Sequence, residues 1–98
     1  MRVLIVDDDP LVLRAAARAL KSLGWEAVTS QEPCRPVNVD VVLTDWQPFG
    51  PQMLEWCLFS AVPVVVMTGC PEAVDRTVTV VPKPFTGAAL DAALRSAR

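Results

Sequence analysis

Residues 2–10 read Arg-Val-Leu-Ile-Val-Asp-Asp-Asp-Pro, an apolar run that stops on three consecutive carboxylates and then a proline. The first part reads as a short strand, Arg2–Val6. Pro10 suits the first position of a helix, where its missing N–H is no loss, and Asp9 before it suits the N-cap. Residues 11–23, rich in alanine and leucine, then predict a helix that Gly24 closes from the C′ position. On it Arg14, Arg18 and Lys21 form one wet stripe, while Leu13, Ala16, Leu20 and Leu23 line an opposing apolar face. A strand that ends on acids and feeds a helix with one apolar face opens a β-α unit.

Outward from this segment the alternation continues. Strands are expected at residues 26–29, 39–44, 63–67 and 78–81, and helices at 51–60 and 86–97. Val41, Val42 and Leu43 run almost without polar relief, as strands covered on both faces do. The nine residues 30–38 contain Pro33 and Pro36, which exclude a long regular helix and leave at most a single turn. The link 68–77 is too short for a full helical crossover, so one turn at 71–74 is expected there. One face of the sheet is then thinly covered, and apolar surface exposed at that point is either a partner site or a liability. With right-handed crossovers these elements give an α/β fold of flavodoxin-like type. Its five-stranded parallel sheet has the order 2-1-3-4-5 and helices on both faces, the second and fourth helices being reduced or absent.

The chain has 98 residues, 52% of them hydrophobic and 20% charged, which excludes disorder and leaves room for one domain, residues 1–98. Nine Lys and Arg against eleven Asp and Glu give a net charge of −2, with no cationic block of the kind a nucleic-acid surface needs. The apolar run 62–67 is far short of the roughly 20 residues that span a bilayer, and no secretory leader is seen at the N-terminus. A soluble, cytoplasmic chain with neither nucleic acid nor membrane as direct partner is expected. Cys34, Cys57 and Cys70 make neither an even disulfide set nor a close ligand pair. With no histidine in the chain, a zinc site has little to use and histidine base chemistry is excluded.

In an open parallel sheet ligands bind beyond the carboxyl ends of the strands, which here selects Asp7, Asp8, Asp45, Thr68 and Lys83. Three carboxylates on one rim repel each other unless a cation sits among them, and an oxygen-only set implies Mg²⁺. Lysine offers a point charge and threonine a hydroxyl, both suited to a phosphoryl oxygen. A carboxylate beside Mg²⁺ and lysine is itself a nucleophile able to accept a phosphoryl group. Asp45, at the centre of the sheet, is the expected acceptor, and Asp7 and Asp8, sharing one turn, the metal-holding pair. The bland reading, aspartates that only cap helices and a lysine that is only surface charge, fits each residue singly. It fits five such residues at strand ends poorly.

The whole chain resembles response-regulator receiver domains of two-component signalling. The resemblance rests on Leu4-Ile5-Val6-Asp7-Asp8-Asp9-Pro10, on Asp45, on Thr68 after an apolar strand, and on Lys83-Pro84-Phe85. It implies that Asp45 is the phosphoacceptor and that Asp8, Asp45 and the backbone carbonyl of Gln47 ligate Mg²⁺, with Asp7 acting through water. It also implies that Lys83 pairs with the phosphoryl group, that Thr68 moves to bond it, that the Lys83–Pro84 bond is cis, and that Asp9 remains a helix cap. Relative to a common receiver, each interval between Asp8, Asp45, Thr68 and Lys83 is short by about two helical turns. The family's dimerisation and output face, built on its fourth helix, therefore does not carry over. The commonly aromatic switch position is Val80, and the Thr68-Gly69 pair resembles a class of single-domain receivers with a Thr-Gly signature. Gln47 and Cys70, flanking the hydrolytic water's path in this family, bring no carboxylate, so slow to intermediate dephosphorylation is expected; a redox role for Cys70 is the minor alternative. Trp46 is either a cover for the site or loop packing, and Trp25 and Trp56 are expected in the core.

Three functions follow from this reading. The first is a switch phosphorylated on Asp45 by a histidine kinase or a histidine phosphotransfer protein, with slow self-hydrolysis. The second is a phosphate sink or phosphotransfer intermediate, and the third a receiver-like binding module that is not phosphorylated. The chain is expected to be a monomer or weak dimer and, if complete, to signal through a downstream protein partner.

Overall fold

The sheet is built from β1 (Arg2–Val6), β2 (Glu26–Ser30), β3 (Val41–Asp45), β4 (Val64–Thr68) and β5 (Thr79–Pro82), all parallel, in the order β2-β1-β3-β4-β5. Helix α1 (Pro10–Ser22) follows β1, α2 (Gly50–Ser60) follows β3, and α3 (Gly87–Ala97) follows β5. The computed structural model describes residues 1–74 and 77–97. Asp75 and Arg76 of the link 68–77, and Arg98 expected beyond the last helix, lie outside the described residues.

Local chemistry sets these boundaries as expected. The Asp9 carboxylate accepts from the Leu11 N–H at 2.9 Å, and Pro10 occupies the first helical turn. Gly24, with φ of +93°, turns the chain out of α1 in a conformation L side chains avoid. Residues 31–40 hold no helix, and the expected turn after β4 is a single 3₁₀ turn, Pro71–Ala73. The second helix of the resemblance is thus missing and the fourth reduced to that turn.

Alternation along the strands divides the core into two layers. Val3, Ile5, Val41, Leu43, Val65, Met67 and Val81 face α1 and α3, packing against Leu13, Leu20, Leu90 and Leu94. Gly87 permits the close approach of these helices, since a Cβ there would lie 3.1 Å from that of Ala19. On the opposite face Leu4, Val6 and Val42 meet Met53 and Cys57 of α2, the one α-helix on that side among the described residues. Two expectations need correction. Leu23 is 43% exposed, because it caps α1 where the chain turns away, and Ala17 takes its place on the apolar face. Trp25 is buried, but Trp56 is only half-buried, its ring lying under the Arg35 guanidinium at 4.6 Å. No helix among the described residues is long and apolar enough to cross a membrane.

Candidate functional site

Strand register carries the polar residues to one rim. Val6 is level with Thr44, which puts Asp7 level with Asp45. Asp45 is level with Met67, so Thr68 stands one residue further, and Thr68 is level with Pro82, so Lys83 stands one further again. Four strand ends thus deliver Asp7, Asp45, Thr68 and Lys83 in a stagger, with Asp8 beside Asp7. Carboxylate oxygens of Asp7, Asp8 and Asp45 lie within 4.8 Å of one another.

The Lys83 ammonium bridges two of the three, 3.1 Å from Asp45 and 3.3 Å from Asp7. Asp7 is buried and also accepts from the Asp9 N–H at 2.9 Å. Burial raises its pKa, and the charge of Asp45 adds to the rise; together these outweigh the Asp9 N–H and Lys83, which favour the anion. Burial acts to lower the pKa of Lys83, but its hydrogen bonds and charge pairing with Asp45 and Asp7 prevail and raise it. The ammonium therefore stays charged at neutral pH. Asp8, by contrast, is exposed, with its backbone carbonyl accepting from Gln31 at 3.3 Å.

Beside Asp45 opens a cleft of about 310 Å³ lined by Trp46, Gln47, Thr68, Gly69 and Cys70. The buried Thr68 hydroxyl accepts from the Cys70 N–H at 3.0 Å, and the Thr68 carbonyl accepts from the Lys83 N–H at 2.8 Å, which ties the ends of β4 and β5 together. The Lys83–Pro84 peptide is cis, as the resemblance implies, and so is Gln47–Pro48. Trp46 both lines the cleft and packs the loop: a Cβ on Gly50 would come within 2.5 Å of its ring. Gly50 thus holds the wall of the site, a role the sequence analysis missed. Nothing in its local sequence separates it from an ordinary glycine at a helix start. Cys57 lies in the core, where burial pushes its thiol up to about 11, and Cys70 is exposed.

All the candidate metal donors are carboxylate oxygens, a hard set that fits a small divalent cation better than a soft one. The cluster with Lys83 and Thr68 suits phosphoryl-transfer chemistry, in which positioned positive charge and a hydroxyl meet the equatorial oxygens of the group in flight.

The sequence matches no family model and none of the curated proteins. Comparison of structures does find proteins of similar fold. A response-regulator receiver-domain protein from Clostridium thermocellum superposes with a TM-score of 0.80 at 23% identity, over 98% of this chain and 92% of its own. The fold is that of receiver domains. Chemotaxis protein CheY4 of Vibrio cholerae gives a TM-score of 0.79 at 18% identity, over 99% of this chain and 98% of its own. The receiver domain of the hybrid histidine kinase CckA gives 0.77 at 24% identity, over 98% and 97%. Within the receiver fold this chain keeps all five strands, while its crossovers are pared down.

Proposed function

We propose that residues 1–98 form a receiver domain of two-component signalling that accepts a phosphoryl group on Asp45. The observation that carries the reading is the Lys83 ammonium held between Asp7 and Asp45, the latter lining a cleft together with Thr68. Asp7, Asp8 and Asp45, with the backbone carbonyl of Gln47, would hold Mg²⁺, which when bound supplies charge neutralisation for the phosphoryl oxygens. An Asp45 oxygen attacks phosphorus as the P–N bond of a phosphohistidine breaks, and the donor imidazole leaves with the bonding pair. Lys83 offsets the charge on the transferred group. Thr68, whose oxygen accepts from Cys70 N–H, keeps its own O–H to donate to a phosphoryl oxygen. Neither Gln47 nor Cys70 brings a carboxylate to orient water in the cleft, so hydrolysis of the acyl phosphate is slow.

The donor is a histidine kinase or histidine phosphotransfer protein, and the protein acts in the cytoplasm. Acetyl phosphate with Mg²⁺ should raise the intact mass by one phosphoryl group, and Asp45→Ala should abolish the increment while leaving the circular dichroism unchanged. A folded wild-type chain that gains no mass would sink the proposal. The 3₁₀ turn in place of a fourth helix favours a second reading, a phosphate sink without a responding surface. Amide shifts on beryllofluoride addition that stay within the cleft, and do not reach Val80, would select it.

A further inference from the structure

Strand β2 lies at an edge of the sheet, paired among the described residues only with β1. Glu26 N–H donates to the Met1 carbonyl and the Ser30 carbonyl accepts from Asp7 N–H. In a parallel ladder alternate residues point their amides the same way, so Ala27 and Thr29 aim theirs outward, away from β1. Above this edge α1 presents Arg14, Arg18 and Lys21, and between them runs a groove of about 430 Å³ whose wall on the strand side includes Thr29.

Charge distribution singles the groove out. Arg2 pairs with Glu26, Lys83 with Asp7 and Asp45, Arg95 with Asp91, and Arg35 lies on Trp56. Arg14, Arg18 and Lys21 are exposed and have no ion-pair partner among the described residues, in a chain whose net charge is −2. Three unpaired cations along a strand edge with outward amides are complementary to one kind of partner. We propose that the groove takes an extended acidic peptide segment of another protein, added as a strand to β2 with its carboxylates against Arg14, Arg18 and Lys21. A second copy of this chain does not fit, because two-fold pairing of the β2 edges would bring like cations together. None of the three cations belongs to the carboxylate cluster, so this docking stands apart from phosphoryl acceptance at Asp45.

The test uses a fluorescein-labelled decapeptide of alternating Glu and Val, followed by anisotropy at low and high salt, with a Lys-Val decapeptide and an oligothymidylate as controls. Expected are salt-sensitive binding of the Glu peptide, weaker binding by about tenfold in the Arg14→Glu, Arg18→Glu double variant, and slower hydrogen exchange at the Ala27 and Thr29 amides of the wild-type chain when the peptide is present. Binding that survives charge reversal, or no protection at Ala27 and Thr29, overturns the proposal. Equal affinity for the oligothymidylate does so as well, since a general polyanion surface has no use for the strand edge. The exchange measurement needs no variant and decides the matter even if the double substitution disturbs α1.

Discussion

The Lys83 ammonium lies 3.1 Å from the Asp45 carboxylate, joining the chain just past β5 to the end of β3. The same nitrogen reaches Asp7, so a single cation holds apart two acids that would otherwise face each other. Lys83→Met removes the cation and keeps the acids, and should cost about 1–2 kcal/mol in denaturant unfolding without divalent ions, less than a fully buried pair because Lys83 is 27% exposed. Asp45→Ala removes one of the repelling charges and leaves Lys83 to Asp7. Its thermal midpoint without metal should equal or exceed that of the wild type. A clear drop would show that the Asp45–Lys83 attraction, not carboxylate repulsion, dominates the rim.

Addition of Mg²⁺ should relieve the same repulsion. A ligand bound only by the folded state adds about 2.7 kcal/mol at a concentration of one hundred times its dissociation constant. The thermal midpoint of the wild type should therefore climb with Mg²⁺, and Asp8→Ala, at an exposed position outside the core, should flatten the climb with little effect on the metal-free midpoint. An unchanged climb in that variant would remove Asp8 from the proposed ligand set.

Gly50 offers a test in which local and tertiary effects oppose one another. Alanine at a helical position normally stabilises by about 0.5–1 kcal/mol relative to glycine. Here the added methyl would meet the Trp46 ring within 2.5 Å and the Asp45 carbonyl at 3.1 Å. Gly50→Ala should lower stability, shift tryptophan emission and, on the proposed function, slow labelling by acetyl phosphate, because the ring it displaces lines the cleft beside Asp45. A stabilised variant with unchanged emission would mean that the methyl is accommodated without displacing the Trp46 ring, and Gly50 would lose its role at the cleft wall.

Contrasts of this kind mark what the sequence makes legible. Asp7, Asp45, Thr68 and Lys83 are readable because each ends or follows an apolar run, and parallel strands in register bring such ends to one rim. The short crossovers are readable because proline and residue count limit what fits in them. Gly50 is not, since its role is the tertiary closeness of one ring. The stripe of Arg14, Arg18 and Lys21 is visible as helical spacing, but the free β2 edge beside it depends on strand order. Leu23 shows the converse: it continues the apolar period of α1, yet the period outlasts the helix by one residue and the side chain ends up exposed.

Long-range polar contacts are least visible in sequence, and one of them gives a pH-dependent prediction. The Trp25 indole N–H donates to the Asp91 carboxylate at 2.7 Å, and Arg95 approaches the same oxygen at 2.9 Å, fastening α3 to the start of β2. The hydrogen bond from Trp25, aided by Arg95, holds Asp91 below the usual carboxylate range despite some desolvation. A carboxylate depressed on folding contributes stability that is present above its unfolded pKa, near 3.8, and lost as pH falls through the folded value. Asp91→Asn should thus be less stable than the wild type at neutral pH, and the two midpoints should converge as pH falls below the ordinary carboxylate range. A gap that persists undiminished in acid would trace to the shape of the amide and not to charge.

Finally, the uneven cover of the sheet predicts uneven local stability. One face is held by α1 and α3, whereas the other relies on α2, whose fully buried side chains are Met53 and Cys57. Met53→Ala should cost about 2–5 kcal/mol, as other large-to-small core changes do. More diagnostically, it should speed amide exchange throughout α2 while leaving α1 exchanging near its wild-type rate, because few other anchors hold that helix down. Leu20→Ala, on the face covered by two helices, should lower the protection of α1 and α3 together while leaving α2 less affected, since α1, α3 and the central strands share one layer of the core and α2 packs in the other. Equal loss of protection in both variants would mean that the two faces unfold as one unit despite their different cover.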